Sequence, residues 1–329
     1  MKTLLLGANG LLGHNVLKII LERGMDVRIL VRDSAFADQY ANRCETKVGS
    51  FLDVPTLRET LQGCEAVINC TGTTDMSLLT YRDYLAVNKV GVEQLLQTME
   101  EIGVPNLVHV STANTIGYGT PDHRATEEDE MAFPFTKAFY AQSKLEAEQM
   151  LLWEAEENPN LRIVIVNPTF MIGAYDSKPS SGKLLLAGYK RKCMVSPSGG
   201  KNFVPVVDAA TAVVNALTMG RSGERYLLAG EDMTIAEFYQ LQSKLCGYSQ
   251  KLWVLPNWQM TMLGKIGDLL RALGVQTQLS TRNVRQVMVK EYYSPDKATK
   301  ELQMPHTSLE KAIKEFFEWW ERQGGEKQK

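Results

Sequence analysis

Three glycines at a strict spacing constrain this chain more than any other feature. A short apolar run over residues 2–6 (KTLLL) ends at Gly7, and GANGLLG then places Gly7, Gly10 and Gly13 three residues apart. Behind them Leu12, Val16, Ile19 and Ile20 form a helical stripe that closes at Gly24. A strand, a glycine turn and a helix N-terminus in that order let the backbone approach a pyrophosphate. Free N–H groups and the positive end of the helix dipole then face it. Elsewhere the same string would be an ordinary glycine-rich turn. At this position Gly7, Asn9, Gly10, Leu11, Leu12 and Gly13 are candidate dinucleotide contacts.

The first half continues the alternation. Strands are expected at 26–31, 44–48, 66–69, 106–111 and 161–167, and helices at 54–61, 79–102 and 136–157. Continuous rather than alternating apolar strands indicate a parallel sheet covered on both faces. After Pro168 the pattern weakens, and residues 174–202 read mostly as loop. Short strands are expected at 204–207 and 226–228, and helices at 208–219, 233–246 and 257–273. A last helix starts at a capping box of Thr307 and Glu310. The fold class is α/β: a doubly wound parallel (Rossmann) sheet with a smaller C-terminal substrate-binding region. Residues 1–168 form the nucleotide-binding domain, a strand and helix near 203–219 return to it, and 169–329 build mainly the substrate side.

The charge balance removes whole classes of partner. Lys plus Arg number 36 against 38 Asp plus Glu, a net charge of −2, so no basic field exists for nucleic acid. Five cysteines without a C-x-x-C pair and four scattered histidines support neither a disulfide framework nor a metal site. A reducing cytoplasm fits. The leucines at the start stop too early for a signal peptide, and no run is long enough to span a membrane.

The end of the second strand bears on which dinucleotide binds. It reads Leu30-Val31-Arg32-Asp33. An acid there would accept from a ribose 2′-hydroxyl, whereas the Arg32 guanidinium suits a 2′-phosphate and hence NADP. A register one residue later would put Asp33 on the ribose of NAD, and an Arg32–Asp33 pair in solvent would serve neither. The chemistry is suggested by Tyr140-Ala-Gln-Ser-Lys144, whose tyrosine and lysine lie one helical turn apart. A phenol with an ordinary pKa of about 10 needs a neighbouring positive charge to work near neutrality.

Taken together, GANGLLG, Asn88-Lys-Val-Gly91, VSTANTIG, Tyr140-x-x-Ser-Lys144 and VIVNP resemble the extended short-chain dehydrogenase/reductase family, over the whole chain. IVNPTFMIGAYDSKPSSG and the tail YYSPDKATKEL are similar to its dihydroflavonol-reductase-like branch, which includes hopanoid-associated sugar epimerases. The resemblance implies that Thr112 hydrogen-bonds the reacting oxygen, with Ser111 as the alternative. It implies that Tyr140 is the proton donor or acceptor, that Lys144 lowers its pKa and holds the nicotinamide ribose, and that Asn88 supports the network. It places Phe51, Leu52, Cys70, Thr71, Gly72, Asn167, Pro168 and Thr169 around the cofactor. The chain departs from the pattern at Ser50, where an acid is usual, and around Pro205, Val207 and Asp208, where polar substrate contacts are usual.

The expected activity is NADP-dependent hydride transfer between a ketone and a secondary alcohol. A nucleotide-sugar epimerase with tightly held NAD and a non-catalytic NADP-sensing module remain as alternatives. A homodimer stays open as the assembly. The apolar segment from Trp253 to Leu273 offers a lid over an apolar substrate or a contact with a membrane surface; its charge is too sparse for strong binding to anionic lipid, which favours lid or core. The helix carrying Phe316, Phe317, Trp319 and Trp320 reads as packed on its own domain rather than as an interface.

Overall fold

The structure, a computed structural model, describes residues 1–75, 77–177 and 180–325. Seven strands form one parallel sheet: β1 (Thr3–Leu6), β2 (Val27–Val31), β3 (Glu45–Val48), β4 (Ala66–Asn69), β5 (Asn106–Val110), β6 (Arg162–Pro168) and β10 (Glu224–Leu228). Their spatial order is β10-β6-β5-β4-β1-β2-β3. β1 therefore lies between β2 and β4, where the winding direction reverses and a crevice opens at the strand ends.

Alternate residues of each strand feed opposite layers. Leu5, Ile29, Ile68 and Val108 meet α1 (Leu11–Glu22), α2 (Ser34–Tyr40), α8 (Val206–Met219) and α12 (Asp296–Leu302). Leu4, Leu6, Val67 and Leu107 meet α3 (Val54–Leu61), α5 (Gly91–Ile102) and α6 (Phe139–Glu157). α4 (Tyr81–Leu85) runs into α5 through a π-helical turn at Ala86–Val90.

The C-terminal region has its own core. β7 (Phe170–Ile172), β9 (Gly200–Pro205) and β11 (Glu231–Thr234) form a three-stranded sheet. It packs with α7 (Gly182–Gly188), α9 (Ile235–Leu245) and α13 (Leu309–Arg322) around Phe203, Phe238, Phe316 and Phe317. β8 (Cys193–Ser196) pairs in parallel with β12 (Lys251–Val254), and α10 (Asn257–Ala272) and α11 (Thr281–Gln286) follow.

Three local expectations change. Residues 174–202 hold α7, β8 and the start of β9, whose turn-forming residues mask short elements. The strand near 203 pairs with β7 and β11, and the chain rejoins the main sheet through β10 instead. The last helix is capped by Ser308, whose hydroxyl accepts from the Lys311 N–H at 3.4 Å, because Thr307 is committed to the buried Asp208 carboxylate at 2.6 and 2.7 Å.

Candidate active site

The glycine turn is built by close approaches. Gly7 has φ +80°, and a Cβ there would lie 2.8 Å from the Cys70 carbonyl oxygen. A Cβ on Gly13 would lie 2.1 Å from the Gly7 oxygen, so only glycine lets α1 sit this near β1. Gly10 is the exposed N-cap of α1, with no side-chain cap and no acid in the first turn. The first N–H groups of the helix, from Leu11, Leu12 and Gly13, therefore have no side chain competing for them. With Asn9 and Gly10 they fit a pyrophosphate, and a nicotinamide dinucleotide laid there crosses the crevice between β1 and β4.

At the end of β2, Val31 is buried and Arg32 is exposed, with no hydrogen bond or ion pair among the described residues. Asp33 is already engaged: its carboxylate caps α2, accepting from the N–H groups of Ala35 at 3.0 Å and Phe36 at 3.3 Å. Phe51 and Leu52 flank Gly91, where a Cβ would meet them at 2.9 and 2.6 Å. An aromatic group just past the glycine loop escaped the sequence reading. The His14 ring stacks on Tyr175 at 4.3 Å, and its Nε2 lies 2.7 Å from the Tyr40 hydroxyl. Burial and the nearby Lys18 push its pKa down to about 4, so the ring is neutral. Its partners at 36, 40 and 175 are too far apart in sequence to signal it.

On α6, Tyr140, Lys144 and Glu148 follow at four-residue steps and share a face. The buried Lys144 ammonium donates to the carbonyls of Val110 at 2.9 Å and Thr71 at 3.3 Å. Burial brings its pKa down to about 8. Burial likewise pushes the Tyr140 phenol up to about 12, while the Thr112 hydroxyl beside it acts in the opposite direction. The expected lowering of the Tyr140 pKa by Lys144 is not seen: burial dominates, and the Lys144 ammonium donates to backbone oxygens. The two candidate hydroxyls separate: Thr112 is beside Tyr140 and Ser111 is beside Glu148.

Asn88 sits in the π-helical turn, a distortion frequent at functional sites. Fully buried, it accepts from the Thr73 N–H at 2.9 Å and donates to the Ser143 hydroxyl at 3.0 Å. It thereby ties the loop after β4 to α6. Gly72 lies within this group, as a Cβ there would stand 3.2 Å from the Lys144 Nζ and 3.3 Å from the Asn88 Oδ1. Burial pushes the Cys70 thiol up to about 12, so it is protonated and unreactive.

The side chains of Asn167 and Thr169, expected at the cofactor, bond within the protein. Asn167 donates to the Glu148 carboxylate at 2.7 Å and to the Thr112 carbonyl at 3.1 Å, and the Thr115 hydroxyl also donates to Glu148, at 2.6 Å. Thr169 donates to the Asn202 Oδ1 at 2.7 Å, and Pro168 ends β6 as a buried residue. Glu148 was not singled out from sequence, although the step from Tyr140 through Lys144 leads to it. Its other oxygen faces Arg225 at 3.8 Å.

The C-terminal region reaches the same end of α6. The Arg282 guanidinium of α11 lies 3.7 Å over the Phe139 ring, next to Tyr140 in sequence. A cavity of about 170 Å³ is lined by Phe133, Pro134, Lys137, Arg282 and Arg285. Near β9, Asp208 holds Thr307 rather than facing a ligand.

Residues 3–229 match the model of the NAD dependent epimerase/dehydratase family. The chain belongs to that family. It is 27% identical to a putative dihydroflavonol 4-reductase of Synechocystis, over 97% of this chain and 94% of that protein. It is also 27% identical to sterol demethylase protein B of Methylococcus capsulatus, over 98% and 99%. The crystal structure of gox2253 superposes with a TM-score of 0.83 at 26% identity, covering 98% of each chain. A Thermus thermophilus UDP-glucose 4-epimerase in complex with NAD shares the fold, at TM-score 0.76 and 18% identity. This member of the NAD-dependent epimerase/dehydratase family is thus an oxidoreductase of the extended short-chain type acting on CH–OH groups.

Proposed function

We propose that this chain is an NADP-dependent reductase of a ketone, or dehydrogenase of the matching secondary alcohol, carried on an apolar skeleton. The observation that carries the reading is at the end of β2. Asp33 is committed to the cap of α2, which leaves Arg32 as the charged group free for a ribose 2′-phosphate. A tightly held NAD, as a sugar epimerase needs, would find no free carboxylate there. Pro205, Val207 and the Thr307-bound Asp208 offer little to hold a nucleotide diphosphate. The names of two relatives, a putative dihydroflavonol 4-reductase and a ketoreductase acting on a farnesyl dihydroquinoline oxide from Stigmatella aurantiaca, point to the same substrate class.

The cofactor supplies the hydride for reduction. The chain's own groups manage the oxygen: the Thr112 hydroxyl donates a hydrogen bond to it, and Tyr140 gives it the proton that completes the alcohol. A phenol near 12 holds that proton throughout the neutral range. Lys144 would hold the nicotinamide ribose from its position against the carbonyls of Thr71 and Val110, and Asn88 ties the loop after β4 to α6 through Ser143. Residues 169–329 mainly build the substrate side. Protein purified without added nucleotide should carry little NAD and should oxidise NADPH in step with a small apolar ketone. Full occupancy by NAD, with turnover of a nucleotide sugar and no net NADPH oxidation, would replace this reading with the epimerase.

A further inference from the structure

From sequence the segment from Trp253 to Leu273 reads as a lid or core with too little charge of its own for anionic lipid; the structure keeps its large side chains out of the core. Along α10, Trp258, Met262, Ile266, Leu269 and Leu273 project as one stripe, with Trp258 and Leu269 each 63% exposed and Leu273 73%. The buried residues of α10, Gly264 and Gly267, lie about half a turn away. There the helix presses on the segment leading into α11: a Cβ on Gly267 would meet the Leu279 oxygen at 2.2 Å. The stripe thus points away from α11, whose Arg282 covers Phe139 beside Tyr140.

The β8–β12 ribbon leads directly into α10 and carries the charge that the helix lacks. In the β8–β12 ribbon, Trp253 is opposite Val195 and both are exposed, while Lys251 is opposite Cys193. The Lys251 N–H donates to the Lys192 carbonyl at 2.8 Å, which sets exposed Lys190, Arg191 and Lys192 at the same ribbon end. With Lys251 and Lys265 these make five exposed basic residues, against a single exposed acid on α10, Asp268. Arg271 is turned the other way, donating to the Thr277 carbonyl at 2.7 and 2.9 Å. The chain as a whole carries −2. A large exposed apolar stripe bordered by basic side chains is the pattern of a helix lying in a membrane interface. A second copy of the chain would set this net positive surface against another of the same sign.

We infer that α10 and the β8–β12 ribbon dock on an anionic lipid bilayer, with the stripe of α10 in the headgroup boundary and Lys190–Lys192 against the lipid phosphates. No helix among the described residues is long and apolar enough to cross a membrane, so the attachment is peripheral and reversible. The inference goes beyond the proposed reaction and is tested without substrate or turnover.

The experiment is flotation with vesicles of phosphatidylglycerol and phosphatidylcholine in equal parts, and with phosphatidylcholine alone. The full chain should float with the anionic vesicles, at least about tenfold less with the neutral ones, and less as salt is raised. Two doubly substituted chains, Trp258→Glu with Leu269→Glu and Lys190→Glu with Lys192→Glu, should each lose at least about tenfold of the flotation. These positions are exposed, and unchanged melting temperature and cofactor affinity would show that both variants fold. Failure of the wild type to float, or equal flotation of wild type and the Trp258/Leu269 variant, would overturn the inference. So would a solution dimer that this variant dissociates, with no vesicle binding by either.

Discussion

Helices α1 and α10 carry the same signature, an apolar stripe with glycines on one side, and reach opposite ends. In α1, Leu12, Val16, Leu17, Ile19 and Ile20 are all buried, because the sheet lies on one flank and α8 on the other. In α10 the buried residues are Gly264 and Gly267, and the large side chains face out. Both helices use a glycine to touch a backbone, Gly13 at Gly7 and Gly267 at the segment before α11. An amphipathic pattern therefore specifies a helix and a face, while the neighbours decide whether that face is core. α1 is held between the sheet and α8, whereas among the described residues α10 packs mainly on α11 and the segment leading into it.

The sharpest break in the comparison is chemical. Tyr140→Phe keeps the ring and its packing and removes the proton, so turnover should fall by about two to four orders of magnitude. Cofactor affinity and melting temperature should stay near wild type. Full activity in stopped-flow assays would take Tyr140 out of the mechanism.

Next in size, two matched glycine substitutions test the packing directly. Gly13→Ala forces a Cβ to 2.1 Å from the Gly7 oxygen between rigid neighbours and should cost about 3 kcal/mol of stability with loss of dinucleotide binding. Gly267→Ala faces a similar clash at 2.2 Å, but α10 can shift outward, so about 1 kcal/mol is expected with cofactor binding intact. Equal losses in denaturant melts would show that the two helices are equally braced.

Arg32→Ala should weaken NADPH by about tenfold to a hundredfold, the worth of a charge-assisted hydrogen bond, and leave NADH unchanged. Titration with both nucleotides separates this from a general loss of the site.

The smallest effect concerns Glu148, whose pKa burial raises above its ordinary 4.5. The folded state keeps a proton that the unfolded chain releases, so this group lowers stability as pH rises from 4.5 through the raised value. Glu148→Gln does not titrate. Its melting temperature relative to wild type should therefore climb from pH 4.5 toward neutrality, and a flat difference would deny the shift.

Much of the cofactor side was legible in sequence because its constraints are local. Gly7, Gly10 and Gly13 are dictated by a few ångströms of backbone, and Tyr140 and Lys144 by one helical turn. Asn88 was read as facing inward, and it does. What stayed hidden depends on partners distant in the chain. Glu148 depends on Thr115, Asn167 and Arg225. The Asp33 cap is local, but it belongs to α2, a seven-residue helix that no apolar stripe announces. The exposure of α10, and the ribbon that brings Lys190–Lys192 beside Lys251, follow from a strand pair about 60 residues apart, which no local pattern encodes.

The central claim is net hydride transfer from NADPH to an apolar carbonyl, and isotope transfer tests it most directly. NADPH deuterated at the nicotinamide C4 should give an alcohol bearing one deuterium at the former carbonyl carbon, with one NADP⁺ released for each alcohol formed. Arg32→Ala should slow the reaction at limiting cofactor and leave the position of the label unchanged. Deuterium that stays with a bound NAD, while a nucleotide sugar is epimerised and no NADP⁺ appears, would contradict the account.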